Sequence, residues 1–155
     1  MSGGALPTLD QLQKLMQCLL GDGVQAKTTM TGPDLSKPYV LASYVNEASE
    51  VRGILACDLG LSNSMGAAFS MIPANVAADS TKAGKVPDNI QGNLHEVLNV
   101  CVNLFTDNGK ERLTLKDVKV CAPNEAPPAV TQSAKFSVQV PRYLGGNCMA
   151  GKVGV

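Results

Sequence analysis

Four residues of one helical stretch stand out for what their side chains could do. Over residues 90–105, Ile90, Leu94, Val97, Leu98, Cys101, Leu104 and Phe105 recur at a spacing that gathers them on one broad helix face. Gly92, Glu96, Asn99 and Asn103 fall at i, i+4, i+7 and i+11, a narrow stripe almost opposite that face. Glu96 and Asn99 are three apart and therefore neighbours that point outward together. A carboxylate and a carboxamide fixed side by side on a helix can be offered to one cleft of a partner more accurately than from a loop. Acids and amides are also what an ordinary solvated helix face carries.

Two other clusters invite a chemical reading and fail it. Gly60-Leu61-Ser62-Asn63-Ser64 has the outline of a nucleophile elbow between a strand and a helix. That motif needs a small fifth residue, normally glycine, with an acid and a histidine further on. Ser64 stands at the fifth position, and the single histidine, His95, lies within a helix in mid-chain. A strand-to-helix turn with a serine cap is the better reading. Ala83-Gly84-Lys85-Val86 lacks the parts of a phosphate-binding loop. Asp79 replaces the upstream glycine, and no serine or threonine follows the lysine.

The elements that position these residues can be drawn from periodicity and turn signals. Thr8 and Gln11 fit a capping box behind Pro7, followed by Leu9, Leu12, Leu15, Met16, Leu19 and Leu20 at helical spacing until Gly21. A short β-prone stretch over 24–31 ends at Gly32-Pro33-Asp34. Strands over 39–45 and 51–59 flank the polar loop 46–50 as a hairpin. Ser62 or Asn63 can cap a helix over 64–72, and Pro73 opens a loop to Pro87 with room for one more helical turn. Asp88 or Asn89 opens the helix 90–105, which Asp107-Asn108-Gly109 stops. A strand over 113–121, a mobile connector over 124–131, and a last hairpin of 134–140 with 147–155 across Gly145-Gly146 complete the chain. The order α-β-β-β-α-α-β-β-β predicts an α+β fold, a mostly antiparallel sheet of about six strands with helices packed on it. The first helix and the helix 90–105 are expected side by side on one face. Strand 147–155, with little charge beyond Lys152, is expected at a sheet edge, where it would pair with a second copy as a homodimer.

Length and composition bound the rest. The chain has 155 residues, enough for one domain (1–155) with a real core. Formal net charge is zero, lysine and arginine are scattered, and aromatics are only 4%, so no nucleic-acid partner is expected. The longest small-apolar run, 65–78, is broken by Ser70, Pro73 and Asn75 and is too short to span a bilayer, and no signal peptide is visible at the N-terminus. Cys18, Cys57, Cys101, Cys121 and Cys148 are odd in number and form no C-x-x-C pair. They read as buried, reduced thiols in a cytoplasmic protein. One histidine leaves a zinc site little to build on.

Glu96-x-x-Asn99 followed by Pro123, just after a strand, resembles the signature of the CheC, CheX and FliY phosphatases of bacterial chemotaxis, closest to the single-site CheX form. In that family an acid or serine stands four residues before the glutamate, glycine is usual four after the asparagine, and a proline follows twenty-odd residues on. Here those first two places hold Gly92 and Asn103, and the proline comes about a residue late. The resemblance implies a partner, the phosphorylated receiver domain of a CheY-like response regulator. It implies that Asn99 orients the water attacking the aspartyl phosphate and that Glu96 grips the receiver's lysine. Gly92, Asn103 and Pro123 would border the contact. Magnesium is expected on the receiver, and no cofactor on this chain. The alternatives are a catalytically weak or silent module that binds the same receiver, and a structural or ligand-sensing relative of the fold.

Overall fold

Alternation of apolar side chains in some segments and helical spacing in others builds a sheet with helices laid on it. The computed structural model describes residues 6–106 and 111–154. In chain order the elements are α1 (Leu9–Leu20), β1 (Gln25–Thr28), β2 (Tyr39–Val45), β3 (Val51–Asp58), α2 (Leu59–Phe69), α3 (Ala74–Lys82), α4 (Asp88–Val100), α5 (Asn103–Thr106), β4 (Thr114–Cys121), β5 (Gln132–Gln139) and β6 (Gly146–Lys152). The strands form one six-stranded sheet in the order β1-β5-β6-β3-β2-β4, antiparallel at every pairing. The α+β class, the mostly antiparallel sheet and the strand number are as the sequence led us to expect.

Local chemistry explains the best-defined boundaries. Thr8 Oγ1 accepts the Gln11 amide at 3.2 Å, while Gln11 Oε1 accepts the Thr8 amide at 2.8 Å. Two of the donors that every helix start leaves orphaned are thereby satisfied. In the β2–β3 hairpin, Asn46 Oδ1 accepts the Ala48 and Glu50 amides, each at 3.0 Å, and so shapes the turn.

Every residue of β2 is buried, because both faces of the sheet are covered. On the helical face, Val40, Ala42, Tyr44, Leu55 and Cys57 pack against Leu12 and Met16 of α1, Leu61 and Met65 of α2, and Leu94, Val97 and Leu98 of α4. Complete burial of a side chain such as Leu98 contributes roughly 1.5–3 kcal/mol. On the other face Tyr39, Leu41, Ile54 and Ala56 meet Leu35 and Val130. That second layer corrects the expected mobile connector at 124–131. The segment is tied down by the Tyr39 hydroxyl donating to the Glu125 carbonyl, by a Lys119–Glu125 ion pair, and by the Thr131 amide donating to Lys152 O at 2.8 Å.

Several further expectations need correction. β6 lies between β5 and β3 inside the sheet, and the edges are β1 and β4. The argument for a homodimer through an exposed last strand therefore falls. α2 begins at Leu59, five residues earlier than expected, so Ser62 and Asn63 are interior to it and do not cap it. Residues 74–82, expected as loop with at most one turn, are the nine-residue helix α3. The helix expected over 90–105 starts at Asp88, ends at Val100 and restarts as α5 after a turn at Cys101–Val102. The stop signal at residues 107–109 lies outside the described residues. α2 is the main helical neighbour of α4, in place of the expected α1. Cys18 is exposed, whereas the other four cysteines are buried, and all five are free thiols. Cys57 and Cys148 face each other across the β3–β6 ladder.

Candidate functional site

α4 can present a rigid outer face because its inner face is pinned at both ends. Near its start it crosses α2 at Gly66. A Cβ there would sit 2.6 Å from Ile90 Cγ2 and 2.9 Å from the Ile90 carbonyl, so only glycine allows this approach. The Asn93 amide group donates to the Gly66 carbonyl at 3.1 Å and locks the crossing. Near its end, the Tyr44 hydroxyl donates to the Leu98 carbonyl at 2.6 Å, in full burial. That bond satisfies one of the carbonyls a helix end leaves open. Burial, and then the neighbouring Cys101 and Cys57 thiols, push the Tyr44 phenol well above its ordinary pKa and keep it a neutral donor. Phe105 packs on Tyr44 with ring centroids 5.0 Å apart and fills the space above Gly53.

With the seven apolar residues of the wheel all buried, Gly92, Glu96, Asn99 and Asn103 are all exposed. Among the described residues no hydrogen bond or ion pair engages the side chains of Glu96 or Asn99. Around Gly92 there is open space, since a Cβ built there meets nothing within 4 Å. The stripe is not continuous. The turn at Cys101–Val102 places Asn103 at the start of α5, where it lines a cleft of about 290 Å³ with Gln11, Leu15 and Cys18 of α1.

Pro123 stands elsewhere. It follows β4, whose last residue Cys121 pairs with Tyr39 at one end of β2, while Tyr44, which holds the Leu98 carbonyl, lies at the other. Five residues of strand separate the two, roughly 17 Å. Pro123 is exposed in a turn closed by the Glu125 amide donating to Ala122 O, with Asn124 bonded back to Leu35 O. The structure thus brings Gly92, Glu96 and Asn99 together, sets Asn103 toward α1, and leaves Pro123 at the far end of β2.

The rejected elbow is a packing device. Ser62, Asn63 and Ser64 are completely buried. Ser62 Oγ donates back to the Asp58 carbonyl at 2.9 Å, and Asn63 Nδ2 donates to Thr81 Oγ1 and the Lys85 carbonyl, each at 3.0 Å. The two Asn63 bonds fasten α3 and the following loop to α2. The Asp58 carboxylate, at the N-cap position, does not cap its own helix. It accepts the Asp34 amide at 2.7 Å and the Asn147 amide at 2.8 Å, joining three distant segments. No sequence signal announced that role, which depends on contacts remote in the chain. Among the described residues no group of three His, Cys, Asp or Glu could hold a metal ion, and no helix is long and apolar enough to cross a membrane.

Comparison with known proteins places the fold. No family model and no curated protein sequence matches the chain. Among solved structures, the chain is similar to the FliM middle domain from Vibrio alginolyticus, with a TM-score of 0.59 and 10% identity over 90% of this chain and 84% of that one. It is similar to a chain of the FliM–SpeE complex from Helicobacter pylori, with a TM-score of 0.58 and 9% identity over 92% and 78% of the two chains. A chain of the CheX–CheY complex with beryllium fluoride and magnesium from Borrelia burgdorferi matches more loosely, with a TM-score of 0.49 and 9% identity over 94% and 95%. At such identities the likeness is one of fold. The chain has the fold of the FliM middle domains.

Proposed function

We propose that this chain docks onto the phosphorylated receiver domain of a CheY-like response regulator and hydrolyses its aspartyl phosphate. The observation that carries the reading is the state of Glu96 and Asn99: exposed, three residues apart, and without a side-chain partner among the described residues, on a helix fixed from below by Gly66 and Tyr44. The motif resemblance and the FliM-type fold support it.

The chemistry asked of this chain is small, because phosphoryl transfer depends mainly on positioning and electrostatics. Asn99 holds a water in line with the bond to be broken. The water oxygen attacks phosphorus, the bond from phosphorus to the receiver's aspartate oxygen breaks, and a free carboxylate and inorganic phosphate result. Glu96 pairs with the receiver's lysine and sets the register. The magnesium ion belongs to the receiver.

Acid-labile phosphate release from a panel of phosphorylated receivers, with and without this protein, tests the reading. Asn99→Ala should slow dephosphorylation of the cognate receiver roughly tenfold to a thousandfold. Glu96→Ala should chiefly raise KM or abolish pulldown. If no receiver loses phosphate faster and none binds, the stripe is a solvated helix face and the proposal fails.

A second reading, binding without hydrolysis, is favoured by Gly92, which puts no polar group where the family carries an acid or serine. The open space above it makes Gly92→Asp a clean discriminator. A gain of turnover without a change in binding would show that the wild-type site is short of one group.

A further inference from the structure

On a different side of α2, a groove of about 520 Å³ lies between the end of α1, the end of α2 and the turn after β5. Its lining mixes apolar side chains and glycine with polar backbone and the Tyr143 phenol, and carries a single charge, Arg142; among the described residues no ion pair engages that guanidinium. Asp22 sits between two lining glycines in the chain but does not line the groove itself.

Two features mark this groove as more than a gap in packing. The walls are held together, because the Tyr143 hydroxyl donates to the Ile72 carbonyl and Gly23 lets Pro141 approach where a Cβ would come within 2.8 Å. Two bulky lining residues also hold a left-handed backbone, Met71 at φ 58° and Arg142 at φ 73°. Met71 closes α2 in a Schellman motif, its amide donating to Ala68 O and the Ile72 amide to Ala67 O. Glycine is the residue that position favours, yet it holds a methionine with 86% of its surface exposed. Strained backbone carrying an exposed apolar side chain is a pattern retained where the side chain serves a partner.

We propose that this groove docks a segment of a partner protein that presents a large apolar side chain beside a carboxylate. Met71, a flexible and polarisable side chain, covers the apolar residue. Arg142, with no acid opposing it in the lining, takes the carboxylate. The site shares no lining residue with the stripe of Glu96 and Asn99 and does not depend on the receiver reading.

Random twelve-residue peptides displayed on phage, selected on the intact protein and sequenced, provide the probe. Winning peptides are then synthesised and their affinity read by fluorescence anisotropy. The expected winners carry a large apolar residue close to Asp or Glu. Arg142→Glu should weaken them by at least about tenfold. Met71→Gly should weaken them by about tenfold while raising Tm, because it relieves the backbone and removes the contact together. Asn99→Ala should leave their affinity unchanged. The proposal is overturned by selection of peptides without that pattern, or by affinities indifferent to both groove variants. It is equally overturned by a concentration-dependent dimer that Arg142→Glu dissolves with no peptide enriched, which would make a second copy the occupant.

Discussion

Two packed helices of this protein each carry a cluster of polar residues, and the two clusters are opposites. On α2, Ser62, Asn63 and Ser64 are completely buried, and Asn63 spends its amide on Thr81 and Lys85. On α4, Glu96 and Asn99 are exposed and engage no side-chain partner among the described residues. A buried polar group without its partner costs free energy, so a sequence keeps one there chiefly for the bonds it makes within the fold. An exposed group owes nothing to the fold and is free to be selected for a partner. Residue type alone places both clusters on the same list of candidates. The hydrogen bonds of Ser62 and Asn63 separate them, and on α2 only the Ser64 hydroxyl departs from that rule.

Substitutions can sharpen or break that contrast, with stability read by denaturant unfolding. The largest change is expected where the two helices touch. Gly66→Ala forces a methyl group against Ile90 and should destabilise the fold by about 3 kcal/mol. Next, Asn63→Ala leaves the Lys85 carbonyl without its donor and should cost about 2 kcal/mol. Smaller effects of the opposite sign come from positions with nothing to lose. Gly92→Ala, in a helix interior with open space around it, should stabilise by roughly 1 kcal/mol. Ser64→Ala removes a buried hydroxyl that lacks a partner among the described residues and should also stabilise, by about 1 kcal/mol. The smallest effect is expected at the proposed site: Glu96→Ala and Asn99→Ala should each stay within about 0.5 kcal/mol of wild type. A large loss at Asn99, or none at Asn63, would erase the distinction between the clusters.

What could be read from the sequence follows the range of the forces involved. α1 was legible to the residue because its capping box and its apolar repeat are local. β2 and the wheel of α4 were legible for the same reason. The start of α2 is displaced from the cap signals because Ser62 turns its hydroxyl back to the Asp58 carbonyl and Asn63 bonds the remote Thr81 and Lys85, while Asp58 turns its carboxylate to Asp34 and Asn147. α3 is longer than the single turn expected between Pro73 and Pro87, and three alanines after Pro73 favour that longer helix. A continuous helix over residues 90–105 puts Asn103 in line with Asn99, and the turn at Cys101–Val102 breaks that line. Sheet order was the least legible. The low charge of β6 suggests an open edge but suits a strand covered on both sides equally well, and of the two strands that do lie at edges, β4 carries Lys116, Asp117 and Lys119.

The inner position of β6 has a consequence for how the molecule assembles. β3, made early, waits for a neighbour made near the end of the described chain, and β5 joins the sheet only through that same strand. Until residues 146–152 have been synthesised and inserted, β3 exposes an unpaired flank rich in Ile54, Leu55 and Cys57, an invitation to pair with other nascent chains. Such long-range closure slows folding. Truncation before β6 should therefore yield aggregates rather than a smaller soluble domain, and β6 is the segment whose supply as a separate peptide would rescue them.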